Sequence, residues 1–315
     1  MNCLVTGAAG FAGSRLSECL VKQGHTVVAL VMPNEDLARL NGLKGSVEVR
    51  TADITDRLSL RDRLTNAKFD WIFHLAALSS VANSFGAPSL AFRVNTQGTV
   101  NLLETFRQRL PRVFIYVSSA DVYGQVPSSE IPVRETCPLK PASPYAASKA
   151  AAEIACLQYW RTFALPVVVL RPFNHTGPGQ GQGFAPSDFA SAIARIEKGL
   201  DPPKLLVGNL DSWRDYSDVR DVVRAYVMAA QMCEPGETYN ISGGNVVKIG
   251  DLLQSLLARS QAKVTVVTDP AKSRPSDMPY VKGDSQKLTR RTSWQPQIPF
   301  DTTLDDLLAS WRNRT

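Results

Sequence analysis

At 315 residues, with 44% hydrophobic and 20% charged residues, the chain has the make-up of an ordinary globular protein with a sizeable core. Its apolar runs fall short of the roughly 18 residues of a membrane span, and Met1 leads straight into a strand, so no membrane contact and no leader are expected and the cytoplasm is the expected compartment. The net charge of +6 is dispersed, its densest cluster from Arg57 to Lys68 being broken by Asp62, which argues against nucleic acid and fits an anionic small molecule.

Leu4-Val5 opens a first strand, followed by a helix from about Phe11 to Gln23 and a strand from Thr26 to Val31. Val47 to Thr51 reads as a strand, Leu58 to Leu64 as a helix, and Trp71 to His74 as a strand again. After Pro88 a long helix is expected to about Arg107, then the apolar strand Val113 to Val117. A helix from Pro144 to about Phe163 and a strand from Val167 to Leu170 complete this half. Continuous Val/Ile-rich strands separated by helices predict an α/β fold with a Rossmann-type, doubly wound parallel sheet. Ligands on such a sheet bind beyond the carboxyl ends of the strands.

From Arg171 to Gly183 glycine and proline cluster, which reads as loop. Helices are expected near Ser187 to Lys198, Asp218 to Met232, Ile249 to Arg259 and Leu304 to Arg312. Short strands are expected near Leu205 to Val207, Thr238 to Ile241 and Val264 to Val267. The expected division is a dinucleotide-binding domain over residues 1–172, to which 218–242 returns, and a smaller mixed α/β domain from 173–217 and 243–315. Cys3, Cys19, Cys137, Cys156 and Cys233 lie far apart and the histidines lack ligand spacing, so neither a metal site nor a disulfide framework is expected.

Gly7-Ala8-Ala9-Gly10-Phe11-Ala12-Gly13 places glycines three apart, after the first strand and opening the first helix. In that place Gly7 allows a tight turn, Gly10 admits a pyrophosphate and Gly13 lets the helix pack closely. The helix N-terminus offers unpaired N–H groups and a partial positive charge to the phosphates. Ala9, Phe11 and Ala12 share the expected contacts. An acid gripping the 2′-hydroxyl of NAD is expected at Val31, yet Met32-Pro33-Asn34 follows with neither an acid nor an arginine. NAD and NADP both remain open, with a tilt toward NADPH and Asn34 or Arg39 near its 2′-phosphate.

Tyr145 and Lys149 stand four residues apart in the first turns of a predicted helix and so share one face. A free tyrosine has a pKa of about 10 and is a poor proton-transfer group at neutral pH. A nearby ammonium favours the phenolate, so Lys149 is expected to lower the Tyr145 pKa. Ser118 and Ser119 follow the strand ending at Val117, where a hydroxyl hydrogen-bonds a substrate carbonyl or caps a turn.

Taken together these residues resemble the extended short-chain dehydrogenase/reductase family of nucleotide-sugar enzymes over nearly the whole chain. The resemblance implies adenine contacts at Asp53-Ile54 and cofactor contacts at Leu75, Ala76 and Ala77, after His74, and at Asn95. It adds Val117, Tyr145, Lys149 and Arg171 to the cofactor set. It makes Ser119, four residues before Tyr123, the catalytic hydroxyl beside Tyr145 and Lys149. Ser79, Ser119, Asp121, Asn174, Arg214 and Arg274 are the implied substrate contacts, the arginines holding the nucleotide diphosphate by bidentate bonds. Arg214 alternatively pairs with Asp215.

Arg171 to Gln180, Val207 to Leu210, Arg214 to Val223 and Arg274 to Pro279 look like the matching stretches of GDP-4-keto-6-deoxy-D-mannose reductases. The smaller domain would then bind the nucleotide sugar, a GDP-sugar. Hydride would pass from NAD(P)H to C4 and a proton from Tyr145 to the oxygen, giving GDP-D-rhamnose. Relatives that dehydrate carry a glutamate two residues before the tyrosine of the x-Tyr-Gly ending. Asp121, with Ala120 beside it, occupies that place, so a GDP-mannose-type 4,6-dehydratase or a 4-epimerase with Asp121 as acid/base is the alternative. A non-catalytic dinucleotide sensor is the remote one. The resemblance also implies a homodimer paired through the helices at about 88–107 and 144–163. Ala146, Ala147, Ala150, Ala151, Ala152 and Ala155 either allow that approach or face the chain's own sheet.

Overall fold

The computed structural model describes residues 1–269 and 279–315, so Arg274 lies outside the described residues. The first half alternates strands β1 (Asn2–Thr6), β2 (Thr26–Val31), β3 (Val47–Thr51), β4 (Trp71–His74), β5 (Val113–Val117) and β6 (Val167–Pro172) with helices. These helices are α1 (Phe11–Lys22), α2 (Arg57–Leu64), α3 (Val81–Gly86), α4 (Pro88–Phe92), α5 (Gly98–Phe106) and α6 (Pro144–Phe163). The second half runs β7 (Asn174–Thr176), α7 (Ala185–Glu197), β8 (Lys204–Val207), β9 (Trp213–Asp218), α8 (Val219–Met232) and β10 (Thr238–Ile241). It continues with β11 (Val246–Lys248), α9 (Ile249–Ala258), β12 (Thr265–Thr268), α10 (Gln286–Thr292) and α11 (Phe300–Arg312).

The large sheet is parallel throughout, in the order β10-β6-β5-β4-β1-β2-β3. Its central strands are buried on both faces, which is why they carry unbroken runs such as Val113-Phe114-Ile115-Tyr116. Cys3, Val5 and Ile115 point to one face with Leu16 and Leu20 of α1 and Val223 of α8. Leu4, Ile72 and Phe114 point to the other, with Leu60 of α2, Leu102 of α5 and Cys156 of α6. The chain turns outward from β1 toward β3 and returns to β1's other side at β4. A crevice therefore opens beyond the carboxyl ends of β1 and β4, the switch point where such sheets bind ligands.

Two small sheets, β11-β9-β7 and β12-β8, and a separate apolar cluster of α7, α9 and α11 make up most of the second half. Here the stretch read as loop contains β7, which pairs in parallel with β9 from Asn174–Tyr216 to Thr176–Asp218. Strands of three residues are too short for alternation to show, so β7 and β11 carry no periodic signal. The long helix after Pro88 is interrupted by a π-helical turn over Arg93–Gln97. Among the described residues no helix is long and apolar enough to cross a membrane, and no His, Cys, Asp and Glu group is placed to hold a metal.

Candidate active site

The glycine turn lies at the carboxyl end of β1, hung on β2 by Gly7 N–H donating to the Leu30 carbonyl at 3.0 Å. Gly7 has φ +66°, and a Cβ there would meet the Ala76 backbone at 2.9 Å. A Cβ on Gly13 would lie 2.1 Å from the Gly7 carbonyl oxygen, so close packing of helix on turn excludes any side chain. The N-terminus of α1 has no side-chain cap and no acid in its first turn. Its orphan N–H groups and bare backbone fit a dinucleotide's phosphates. Ala9 is buried in the turn, Ala12 is half-buried on α1, and the Phe11 ring stacks on His175 with centroids 6.1 Å apart.

Beyond the end of β2 the first acid in the chain is Glu35. Asn34, exposed and at φ +62°, closes a turn in which Glu35 folds back, its carboxylate accepting from Met32 N–H at 2.9 Å. Arg39 is also exposed and donates its Nε to the Gly179 carbonyl at 3.1 Å. Arg15 and Arg314 donate to the neighbouring Pro178 and Gln180 carbonyls, so three guanidinium groups converge on one loop. Burial, then the charges of Arg39 and Arg15, push the Arg314 pKa down. Asp53 turns its carboxylate onto Thr55 N–H at 2.8 Å, and Ile54 is buried under Gly98.

Beyond β4 the buried His74 shows how the crevice floor is fixed. Thr99 donates its hydroxyl to the Asn95 carbonyl at 2.6 Å, so it accepts from His74 Nε2, 2.9 Å away. Thr6 accepts from Ala76 N–H at 3.1 Å and donates to His74 Nδ1 at 2.8 Å. Burial, with the Lys149 charge behind it, pushes this imidazole down to about 3, so it is neutral. Leu75, Ala76 and Ala77 continue half-buried along the floor, while Ser79 is exposed at its end. Asn95, in the π-helical turn, accepts from Leu78 N–H at 2.7 Å and donates to the Leu78 carbonyl and to Ser148 Oγ. Its amide thus clamps this floor to α6.

Ser143 caps α6 by accepting from Ala146 N–H at 3.1 Å, with Pro144 in the first turn, which sets the start of the helix that carries Tyr145 and Lys149. Ser119 lies two residues beyond β5, and its Oγ accepts from Asp121 N–H at 3.1 Å. Burial and then the Asp121 carboxylate push the Tyr145 pKa well above its ordinary value, and only Ser119 acts against them. Lys149 donates to the Val117 carbonyl at 2.5 Å and lies 4.6 Å from the centre of the Tyr116 ring. Burial brings its pKa down to about 8. The Lys149 ammonium is aimed at the end of β5 and is not among the groups that shift the Tyr145 pKa.

The structure corrects the implied cofactor contact of the Arg171 side chain. Instead of facing the crevice, its guanidinium is buried against Glu153, with Nε 3.1 Å from Oε2 and Nη2 on Oε1, and Nη1 donates to the Tyr123 hydroxyl at 2.8 Å. Ser118 also turns inward, donating to Glu153 Oε2 at 2.9 Å, so the two adjacent serines part company. On the other bank Asn174 is exposed at the start of β7, and Arg214 is half-buried in β9 with Nη1 on the Trp213 carbonyl at 2.8 Å. Asp215 is fully buried on Ser242 Oγ and the N–H groups of Gly244 and Gly283, rather than on Arg214. The pairing of Glu153 with Arg171 and the convergence of Arg15 and Arg314 leave no local spacing in the sequence, whereas Glu35 lies just past Asn34 and shows itself only by folding back onto Met32.

The profile of the family described as GDP-mannose 4,6 dehydratase matches residues 4–307. The chain is 36% identical over 312 residues to the GDP-6-deoxy-D-mannose reductase of Pseudomonas aeruginosa, covering 98% of this chain and 97% of the relative. It is 32% identical to GDP-mannose 4,6 dehydratase 2 of Arabidopsis thaliana, covering 95% of this chain and 83% of that one. Among solved structures, RMD from Pseudomonas aeruginosa complexed with NADPH superposes with a TM-score of 0.86 at 34% identity, covering the whole of both chains. The Thermotoga maritima UDP-glucose 4-epimerase with UDP-glucose gives 0.91 at 27% identity, covering all of this chain and 99% of that one.

Proposed function

The chain belongs to the GDP-mannose 4,6 dehydratase family of extended short-chain dehydrogenases/reductases, and from that premise we propose that it reduces the C4 keto group of GDP-4-keto-6-deoxy-D-mannose to give GDP-D-rhamnose. The observation that carries the reading is the placement of Tyr145 and Lys149 one turn apart on α6, with Lys149 donating to the Val117 carbonyl at the end of β5. Reduction of a ketone needs a proton for the oxygen, which a tyrosine hydroxyl supplies.

The residues fit a dinucleotide laid from the turn after β2, over the glycine turn, to the ends of β5 and β6. When bound, a reduced nicotinamide supplies hydride to C4. Gly7, Gly10 and Gly13 would admit the pyrophosphate, and Leu75 to Ala77 and Val117 would line its path. Lys149, already donating at Val117, would hold the nicotinamide ribose. Glu35 stands ready for the hydroxyls of the adenosine ribose and Arg39 for a 2′-phosphate, so both NADH and NADPH are accommodated. Ser119 donates to the C4 oxygen as charge develops there, and Tyr145 delivers its proton to the same atom. Asn174, Arg214 and Arg274 would hold the nucleotide diphosphate. Asp121 beside the phenol keeps elimination at C5 and C6 as the second reading.

Tyr145→Phe tests the assignment: turnover is expected to fall by about 10²–10⁴-fold, the usual weight of a general acid, with cofactor affinity little changed. Undiminished turnover in that variant rules the assignment out. We also propose a homodimer. Phe85, Leu90 and Phe92 on α3 and α4 and Ile154 on α6 are 49%, 43%, 42% and 63% exposed, an apolar face suited to a second copy of the chain.

A further inference from the structure

We propose that Glu153 and Arg171 form a buried positioning unit that keeps Lys149 charged and aimed at the end of β5, without touching the reacting atoms. Glu153 lies one helical turn beyond Lys149 and two beyond Tyr145, on the same side of α6. Its side chain is 1% exposed and that of Arg171 6%. Ser118 adds a hydrogen bond to the carboxylate from the residue after Val117, whose carbonyl accepts from Lys149. On its far side Arg171 reaches the Tyr123 hydroxyl, which donates to Asn240 Oδ1 at 2.6 Å. One polar network therefore ties α6 to the ends of β5, β6 and β10.

A buried ion pair is weak evidence for stability, since its desolvation cost often exceeds the attraction and an apolar pair of similar volume serves packing as well. Charge at this depth, one turn from a buried ammonium, points to a use for the charge. The other titratable groups facing Lys149 are neutral near pH 7. His74 on β4 is pushed down to about 3 by burial. Burial pushes up Tyr116 on β5 and both Tyr145 and Cys156 on α6. Glu153 is thus the carboxylate whose field opposes the burial of Lys149, and Arg171, bonded to it, fixes its place and tempers its field. With the Lys149 pKa brought to about 8, close to neutrality, a modest loss of negative field is enough to discharge it.

The unit predicts opposite shifts from its two members. In Glu153→Gln the alkaline limb of kcat/KM moves down by about one pH unit or more, and activity lost at pH 7.5 returns toward wild type near pH 6. In Arg171→Gln, which leaves the carboxylate uncompensated, the limb moves up. Should either single variant fail to fold, Glu153→Met with Arg171→Met removes both charges together, and its limb is expected below that of the wild type. The activity arm rests on the proposed reduction; the pH dependence of NADPH binding reads the same limb without any sugar, so failure of the two readings can be told apart. Unmoved limbs in folded variants, or shifts of the same sign in both single variants, overturn the proposal. A lowered rate that no pH restores in Glu153→Gln does the same, since it marks a purely structural role.

Discussion

His74 is engaged at both ring nitrogens, accepting from Thr6 and donating to Thr99, and that arrangement has room for one ring proton only. Its folded pKa of about 3 lies below the ordinary value of about 6.5, so below that value the unfolded chain takes up a proton that the fold refuses. The contribution is complete above pH 6.5 and is lost as pH falls toward 3, at about 1.4 kcal/mol per pH unit. Urea denaturation between pH 7 and 5 should therefore show a shallower fall in stability for His74→Gln than for wild type, although the variant starts less stable. Parallel curves would contradict this. Residues such as Gly7, Gly13, Tyr145 and Lys149 were legible in the sequence because their chemistry rests on spacings of three or four along one element. Arg171 was not: its partner is 18 residues away on another element, and only the fold shows that it faces Glu153 rather than the crevice.

At the scale of elements, the strands of the large sheet could be read because burial on both faces demands unbroken apolar runs. β9 and its short partners could not, since Trp213-Arg214-Asp215-Tyr216-Ser217-Asp218 mixes charge and aromatic residues and is held by pairing to β7 and β11. The π-helical turn also leaves no periodic mark; its trace is Asn95, which reaches the crevice floor and α6 from there. The alanines of α6 divide their duties: Ala146, Ala150 and Ala152 are buried in the chain's own fold, while Ala147, Ala151 and Ala155 are half-buried beside the exposed Ile154. That face of α6 is where a second copy would seat. A charge buried unpaired in such a contact costs several kcal/mol. Ile154→Glu is accordingly expected to sediment as a monomer where the wild type sediments as a dimer. A wild-type monomer, or a variant that remains dimeric, removes this face as the interface.

For the whole molecule, two banks meet at one crevice: a parallel sheet with a bare helix N-terminus and the Tyr145 phenol, and a smaller half presenting Asn174 and Arg214. The position of the crevice follows from strand order, since β4 returns beside β1 and leaves a gap beyond their carboxyl ends. What separates a reductase from its relatives on the same scaffold is the fate of the hydride. The most direct measurement is the stoichiometry with GDP-4-keto-6-deoxy-D-mannose and NADPH or NADH deuterated at the nicotinamide C4. One nicotinamide oxidised per sugar, with deuterium at C4 of a GDP-6-deoxyhexose, is the predicted result. Sugar conversion without net oxidation of the nicotinamide, or oxidation that leaves no deuterium at C4, would contradict it.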